Sequence, residues 1–401
     1  MMFTNIDEAI TWITNRRSNN YSFEHFKQVC KELGNPQNRL KVIHVAGTDG
    51  KGSTVSYLAS LLMSQGLKVG TLTSPHNLVH QDRIRINMKN IPDEMFLDIL
   101  NDNVDTYIEK GLSMFEMDYL IMCEYFLREN VDLAVIEVGL GGRKDSTNVI
   151  DNPILSIITT IGYDHMDRLG NTLEEICVEK CGIIKENSKV LIGKLNDSCT
   201  KIAKETAQER NCSFYQLEEY EDLGNREFKF NNEVYKISSY ARYQLHNASL
   251  ALSAFDIVMK DINMNIDLEK AKQALLDAKW SLRFEIVKEK PRVIIDGAHN
   301  IHGITALVES FDQFTGSKCI VFSALKRKEY KKMLEMLKEH CDELVITSFD
   351  YKEAIDIDSL KDYKTESDYK KAIDEAISKY DNILICGSLY FMSDVVQNYK
   401  F

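Results

Sequence analysis

At 401 residues the chain is too long for one small domain and suits two or three, taking about 150 residues per domain as a prior. Hydrophobic residues at 44% and charged residues at 27% exclude a wholly disordered or fibrous chain. The 49 Lys+Arg against 61 Asp+Glu give a net charge of -12, which argues against a protein that coats nucleic acid or anionic lipid; an anionic ligand must be held by local positive features.

The nine cysteines are scattered and contain no C-x-x-C pair, so reduced thiols are expected rather than a disulfide framework or a zinc ribbon. No run approaches the roughly 18 apolar residues that cross a bilayer. Asp7 and Glu8 stand where a signal peptide would be basic and then apolar. A cytoplasmic protein without membrane or nucleic-acid partners is expected.

From residue 40 onward, short β-branched runs alternate with longer amphipathic stretches, the pattern of βαβ units around a mostly parallel sheet. Buried strands are predicted at 42–46, 69–73, 133–138, 155–160 and 190–192. Residues 213–240 read as short polar strands and 244–279 as helix. A second series of strands, at 292–295, 319–323, 344–347 and 383–386, predicts a smaller C-terminal α/β domain. The charged run Val287-Lys288-Glu289-Lys290-Pro291 reads as an exposed linker, which places the domain boundary near 285 and divides the chain into 1–285 and 286–401.

The first predicted strand leads into Gly47-Thr48-Asp49-Gly50-Lys51-Gly52-Ser53-Thr54 and then into a helical pattern. Strand, glycine turn and helix start together build an anion site. Successive backbone N–H groups point inward, the helix N-terminus adds partial positive charge, Lys51 reaches outer phosphates, and Ser53 or Thr54 can ligate Mg2+. The loop is a variant, because Val45 stands where the usual pattern has its first glycine.

Further polar residues fall at the carboxyl ends of predicted strands, where parallel sheets gather their ligands. Glu137 precedes Gly139-Leu140-Gly141-Gly142-Arg143, and is either a metal-binding carboxylate or a solvated strand end. Asp164-His165 follow the next strand, His165 being either a ligand or a hydrogen-bonded histidine of the fold. The next helix opens on a capping box, Thr172 to Glu175, and carries Lys180, which taken alone is a surface lysine, with Cys177 and Cys181 as buried thiols.

In this order the chain resembles the folylpolyglutamate synthase and dihydrofolate synthase family of the Mur ligase superfamily. The likeness rests on 44–53; Thr73-Ser74-Pro75-His76 with Arg83-Ile84; 137–143 with Asp145 and Thr147-Asn148; Asp164-His165; 179–185; Asp296-Gly297-Ala298-His299-Asn300; and Gly387-Ser388-Leu389. The resemblance implies an α/β protein with an N-terminal P-loop ATPase domain and a smaller, Rossmann-like glutamate ligase domain. It also implies ATP as co-substrate: a folate carboxylate takes the γ-phosphoryl group, and the amine of L-glutamate displaces phosphate from the acyl phosphate. The acceptor would be a reduced folate, with dihydropteroate as an alternative, and the protein a monomer that closes two domains over the reaction.

Residue roles follow from the same resemblance. Gly47 to Thr54, with Asn247, Arg283 and Asp296, would bind ATP. Ser53, Ser74 and Glu137 would hold a first Mg2+ and His165 a second, with Lys180 carried as a carbamate. Lys51, Lys180, His165 and His299 would be catalytic, and Ser74, Pro75, His76, Arg83 and Asp145 would meet the folate. Three positions depart from the family: Asp49 replaces an asparagine, Leu282 a glycine and Ile301 a proline. A Mur-type ligase with another carboxylate acceptor, and a non-catalytic ATP-binding paralogue, are the competing readings.

Overall fold

The computed structural model describes residues 2–16 and 22–401. Its first sheet contains β1 (Val42–Ala46), β2 (Val69–Leu72), β3 (Ile84–Ile86), β4 (Lys89–Asn90), β5 (Leu133–Glu137), β6 (Leu155–Ile158), β7 (Lys189–Ile192) and β8 (Ser213–Gln216). They lie in the order β4-β3-β2-β5-β1-β6-β7-β8. Neighbours from β2 to β8 run parallel, while β3 and β4 turn back antiparallel at one edge. The central strands β1, β5 and β6 are buried along their whole length. A parallel sheet covered on both faces requires this, and it explains why these strands read as mostly apolar runs, with His44 and Ser156 as buried polar exceptions.

Register sets the site. Val45 pairs with Glu137 across β1 and β5, and Ala46 with Ile158 across β1 and β6, so three carboxyl ends lie level. One apolar cluster holds Phe26, Phe96, Tyr119 and Phe126; another packs Ile158, Cys177, Cys181, Val190 and Cys199. All nine cysteines are free. The Leu173–Cys181 helix has the expected capping box: Glu175 N–H donates to Thr172 Oγ1 (3.1 Å) and Thr172 N–H to Glu175 Oε2 (3.2 Å).

Three short strands follow, β9 (Glu221–Gly224), β10 (Glu227–Phe230) and β11 (Glu233–Lys236). The helical stretch expected over 244–279 is two helices, Tyr243–Asp261 and Leu268–Asp277, the second capped by the Asp267 side chain. Strands β12 (Glu285–Glu289), β13 (Arg292–Asp296), β14 (Lys318–Phe322), β15 (Glu343–Thr347), β16 (Lys364–Glu366) and β17 (Asn382–Cys386) make a sheet in the order β12-β13-β17-β14-β15-β16, parallel except at β12.

The chain forms two compact units. One comprises Met1–Glu221, Phe230–Tyr235 and Asn247–Ala278; the other comprises Asp222–Lys229, Lys236–His246 and Lys279–Phe401. The run Val287 to Pro291, expected as a linker, is instead the end of β12 and its turn into β13, with Lys288 opposite Val293 and Glu289 opposite Arg292. Its charge belongs to an edge strand, where lysine and glutamate discourage pairing with another chain.

Gly70 in β2 lies against the Phe126 ring, 2.6 Å from where a Cβ would sit. Gly70→Ala is expected to lower unfolding stability by about 1–3 kcal/mol through overpacking, measured by urea denaturation, and Phe126→Leu in the same chain to recover part of it.

Candidate active site

The loop leaving β1 is clamped to the exit of β6. Thr48 N–H donates to Thr160 O (2.9 Å), and Asp49 N–H to Thr160 Oγ1 (3.0 Å). Thr159 and Thr160 hydroxyls both donate to Asp49 O (2.6 and 3.1 Å), and Thr48 Oγ1 donates to Gly162 O (3.1 Å). Thr48 therefore shapes the loop through its side chain. A Cβ on Gly47 would overlap the Thr159 hydroxyl, so only glycine allows the two turns to approach this closely. Gly50, with φ 79, starts the Lys51–Ser64 helix; a Cβ there would overlap Asn247 Oδ1, which puts the buried Asn247 side chain directly against the loop.

Lys51 Nζ donates to Thr48 O (3.1 Å) and lies 3.9 Å from Glu137 Oε1. Glu137 is buried at the end of β5, and its other oxygen accepts the Ser74 N–H (3.1 Å), while Ser53 is buried one turn into the helix. A carboxylate and a lysine thus meet where the loop would hold phosphate, with Ser53 two residues on from that lysine. Among the described residues no three His, Cys, Asp or Glu side chains gather into a metal cage. Mg2+ does not need one, because it binds through one or two carboxylates with phosphate oxygens and water.

Lys180, a surface lysine by spacing alone, is buried, and its Nζ donates to Gly47 O (2.9 Å). Two glycines set its helix in place. A Cβ on Gly142 would meet the carbonyls of Glu179 and Lys180 at 2.7 and 2.9 Å, and Gly182 abuts Arg143 in the same way. Burial, and then the neighbouring Lys51 charge, lower the Lys180 amine to about 7, against the pull of Asp164, Asp49 and Asp145. Asp49, which stands where the resemblance expects an asparagine, therefore bears on Lys180 through its charge.

His165 takes a left-handed conformation (φ 51) after β6, with Nε2 3.8 Å from Asp164 Oδ2 and its side chain partly exposed. Asp145 is occupied in its own loop: Oδ1 accepts Thr147 N–H and Oγ1–H (3.0 and 2.6 Å), and Oδ2 accepts Leu140 N–H (2.8 Å). The loop from Ser74 carries His76 and Arg83, and Asp82 folds it by accepting the N–H groups of Asn77, Leu78 and Val79.

In the second unit, Asp296 closes β13 and accepts Tyr243 OH (2.6 Å), Phe284 N–H (2.8 Å) and Ala298 N–H (2.7 Å). Burial raises its carboxyl, and Arg283 draws it back down. Leu282 holds the left-handed conformation (φ 62) that the family glycine would adopt freely, with its side chain buried. Ile301 opens the helix capped by Asn300, the first helical position, where proline is favoured. His299 Nδ1 lies 2.9 Å from Gly297 O.

Sequence reasoning missed Thr159, Thr160, Asp82 and the His80–Asp118 pair, since no local spacing marks them. Gly47→Ala is expected to weaken ADP binding by at least about tenfold, read by calorimetry, because the loop must leave the Thr159 side to admit the methyl group.

Residues 45–255 match the Mur ligase middle domain, and residues 282–389 the Mur ligase glutamate ligase domain. The chain is 34% identical to the dihydrofolate synthase/folylpolyglutamate synthase of Bacillus subtilis (strain 168) over 100% of both chains. It is 30% identical to the folylpolyglutamate synthase of Lacticaseibacillus casei over 91% of each. Among solved structures it is similar to the apo form of L. casei FPGS, with TM-score 0.87 and 26% identity, covering 98% of this chain and 99% of that one. It is also similar to E. coli FolC in complex with DHPP and ADP, with TM-score 0.88 and 25% identity, covering 98% and 97%. A phosphate loop, a buried strand-end glutamate and a buried lysine, set on this fold and matched over the full length of these relatives, make the chain a member of the folylpolyglutamate synthase/dihydrofolate synthase family of Mur ligases.

Proposed function

We propose that this chain is an ATP-dependent amide ligase that adds L-glutamate to a reduced folate, with dihydropteroate as a second acceptor. The observation that carries it is the buried Lys180 amine on Gly47 O, beside the Lys51–Glu137 pair. Simple nucleotide binding has no use for a second, desolvated lysine behind the loop. The nucleotide site lies within residues 1–285 and the glutamate ligase part within 286–401, in a monomer of the cytoplasm. Among the described residues no helix is long and apolar enough to cross a membrane.

The loop Gly47 to Thr54 cradles the phosphates, with Asn247 at its side and Lys51 on the outer oxygens. Arg283 and Asp296 are the remaining residues assigned to ATP. The folate carboxylate oxygen, oriented by the loop through Ser74, Pro75, His76 and Arg83 and by Asp145, attacks the γ-phosphorus as the bond to the ADP oxygen breaks. The glutamate amine then attacks the acyl carbon, phosphate leaves with the bonding pair, and the amine gives up a proton. His299 suits that transfer: an Nδ1–H donated to Gly297 O selects the tautomer with a basic Nε2. Ser53, Ser74 and Glu137 fit a first Mg2+, and His165 a second. Bound there, the two ions would neutralise the phosphate oxygens.

An amine lowered to about 7 is about half unprotonated at neutral pH, far more than an ordinary lysine, and in that form can attack CO2, losing a proton to give a carbamate. Lys51, which disfavours the ammonium, favours that anion. Lys180→Ala is expected to lose activity about 100-fold, with partial recovery in formate or acetate. At fixed dissolved CO2, carbamate mass and rate should both fall as pH drops through about 7, where the amine protonates. An unmodified lysine in fully active, metal-loaded enzyme contradicts this role.

Purified protein with ATP, Mg2+, glutamate and either tetrahydrofolate or dihydropteroate should release ADP and form the glutamyl amide. ADP release that depends on neither pterin contradicts the folate reading and favours another acceptor. ADP binding without turnover on any carboxylate favours a non-catalytic paralogue.

A further inference from the structure

Beneath the Ser74–Arg83 loop lies a buried cluster of opposite charges that the proposed mechanism does not use. Asp118 sits on the Met114–Arg128 helix among buried Met117, Tyr119, Ile121 and Met122, and its side chain is 0% exposed. One oxygen accepts from His80 Nε2 at 2.8 Å; the other faces Arg83 Nε at 3.7 Å. His80 and Arg83 begin and end the single 3-10 turn that closes the loop. The His80 ring lies 5.8 Å from the His76 ring. Among the described residues, His80 Nδ1, Arg83 Nε and Asp118 Oδ2 are buried with no hydrogen-bond partner. Removing Asp118 would leave the Arg83 guanidinium buried without its counter-charge and His80 Nε2 without its acceptor, so the turn depends on this one carboxylate.

We infer that Asp118 is a positioning residue for the acceptor: it fixes the turn through His80, aims the Arg83 guanidinium, and so holds the loop that starts at Ser74 in register with Glu137. The inference rests on the reading that this loop meets the folate. Asp118 touches neither substrate nor nucleotide. Its carboxylate supplies the charge that lets an arginine with a 7% exposed side chain be built into a loop wall, and the imidazole bond fixes which way the turn faces.

Asp118→Asn keeps the shape and an acceptor for His80 but removes the charge opposite Arg83. KM for tetrahydrofolate is expected to rise about tenfold, with KM for ATP close to the parent's and a lowered melting temperature, because Arg83 loses its counter-charge. Asp118→Glu, which keeps the charge, should recover more of the acceptor KM than Asn does. An unchanged acceptor KM in a folded Asn variant overturns the inference, as does an equal rise in both KM values.

Hydrogen exchange of the ligand-free protein tests the same claim without an acceptor. Amides of 77–83 are expected to exchange faster in Asp118→Asn while those of Gly47 to Thr54 do not, and identical exchange overturns the positioning role. A parent enzyme that is inactive with both pterins but shows the exchange difference would overturn the functional reading and leave the positioning role standing.

Discussion

The structure depends on one constraint of register. Because Val45 stands opposite Glu137 and Ala46 opposite Ile158, the chain segments that leave β1, β5 and β6 start from one level at the sheet edge. A shift by one residue would turn each buried run to the other face and carry Glu137 away from Lys51. Buried polar residues inside the strands hold that register against slippage: His44 Nε2 pairs with Thr147 Oγ1, and Ser156 Oγ donates to Ile183 O. The chemistry at the edge is therefore stabilised by residues that take no part in it.

Burial at this edge changes what its polar groups do. Lys180 would be an ordinary ammonium in water; packed against Gly47 O it is a lysine whose charge is costly. The carboxylates Asp164, Asp49 and Asp145 oppose that shift and Lys51 reinforces it. Asp145 and Asp296 show the opposite case. Each is buried and uses its oxygens on neighbouring N–H and hydroxyl groups, which fixes the loops around them.

The central strands were readable because burial on both faces leaves a mostly apolar run rich in valine and isoleucine, and the predicted starts and ends differ from the observed ones by at most two residues. The edges were not readable. Lys89–Asn90 and Glu285–Glu289 carry charge and partial exposure, so β12 passed for a linker. Glycines of the phosphate loop could be recognised from sequence, but the reason for Gly47, the hydroxyl of Thr159, could not. Asp118 left no local trace: it stands in an apolar helix, and its partner His80 is 38 positions away. Lys180 could be assigned a role only by resemblance, because its burial arises from the approach of Gly142 and Gly182, which no helical spacing reveals.

Hydrogen exchange with and without Mg2+ and a non-hydrolysable ATP analogue tests the shared strand edge most directly. Strong protection of 47–54, together with weaker protection of 137–143 and 159–165, is the expected result. Protection confined to segments away from the ends of β1, β5 and β6 would contradict the account.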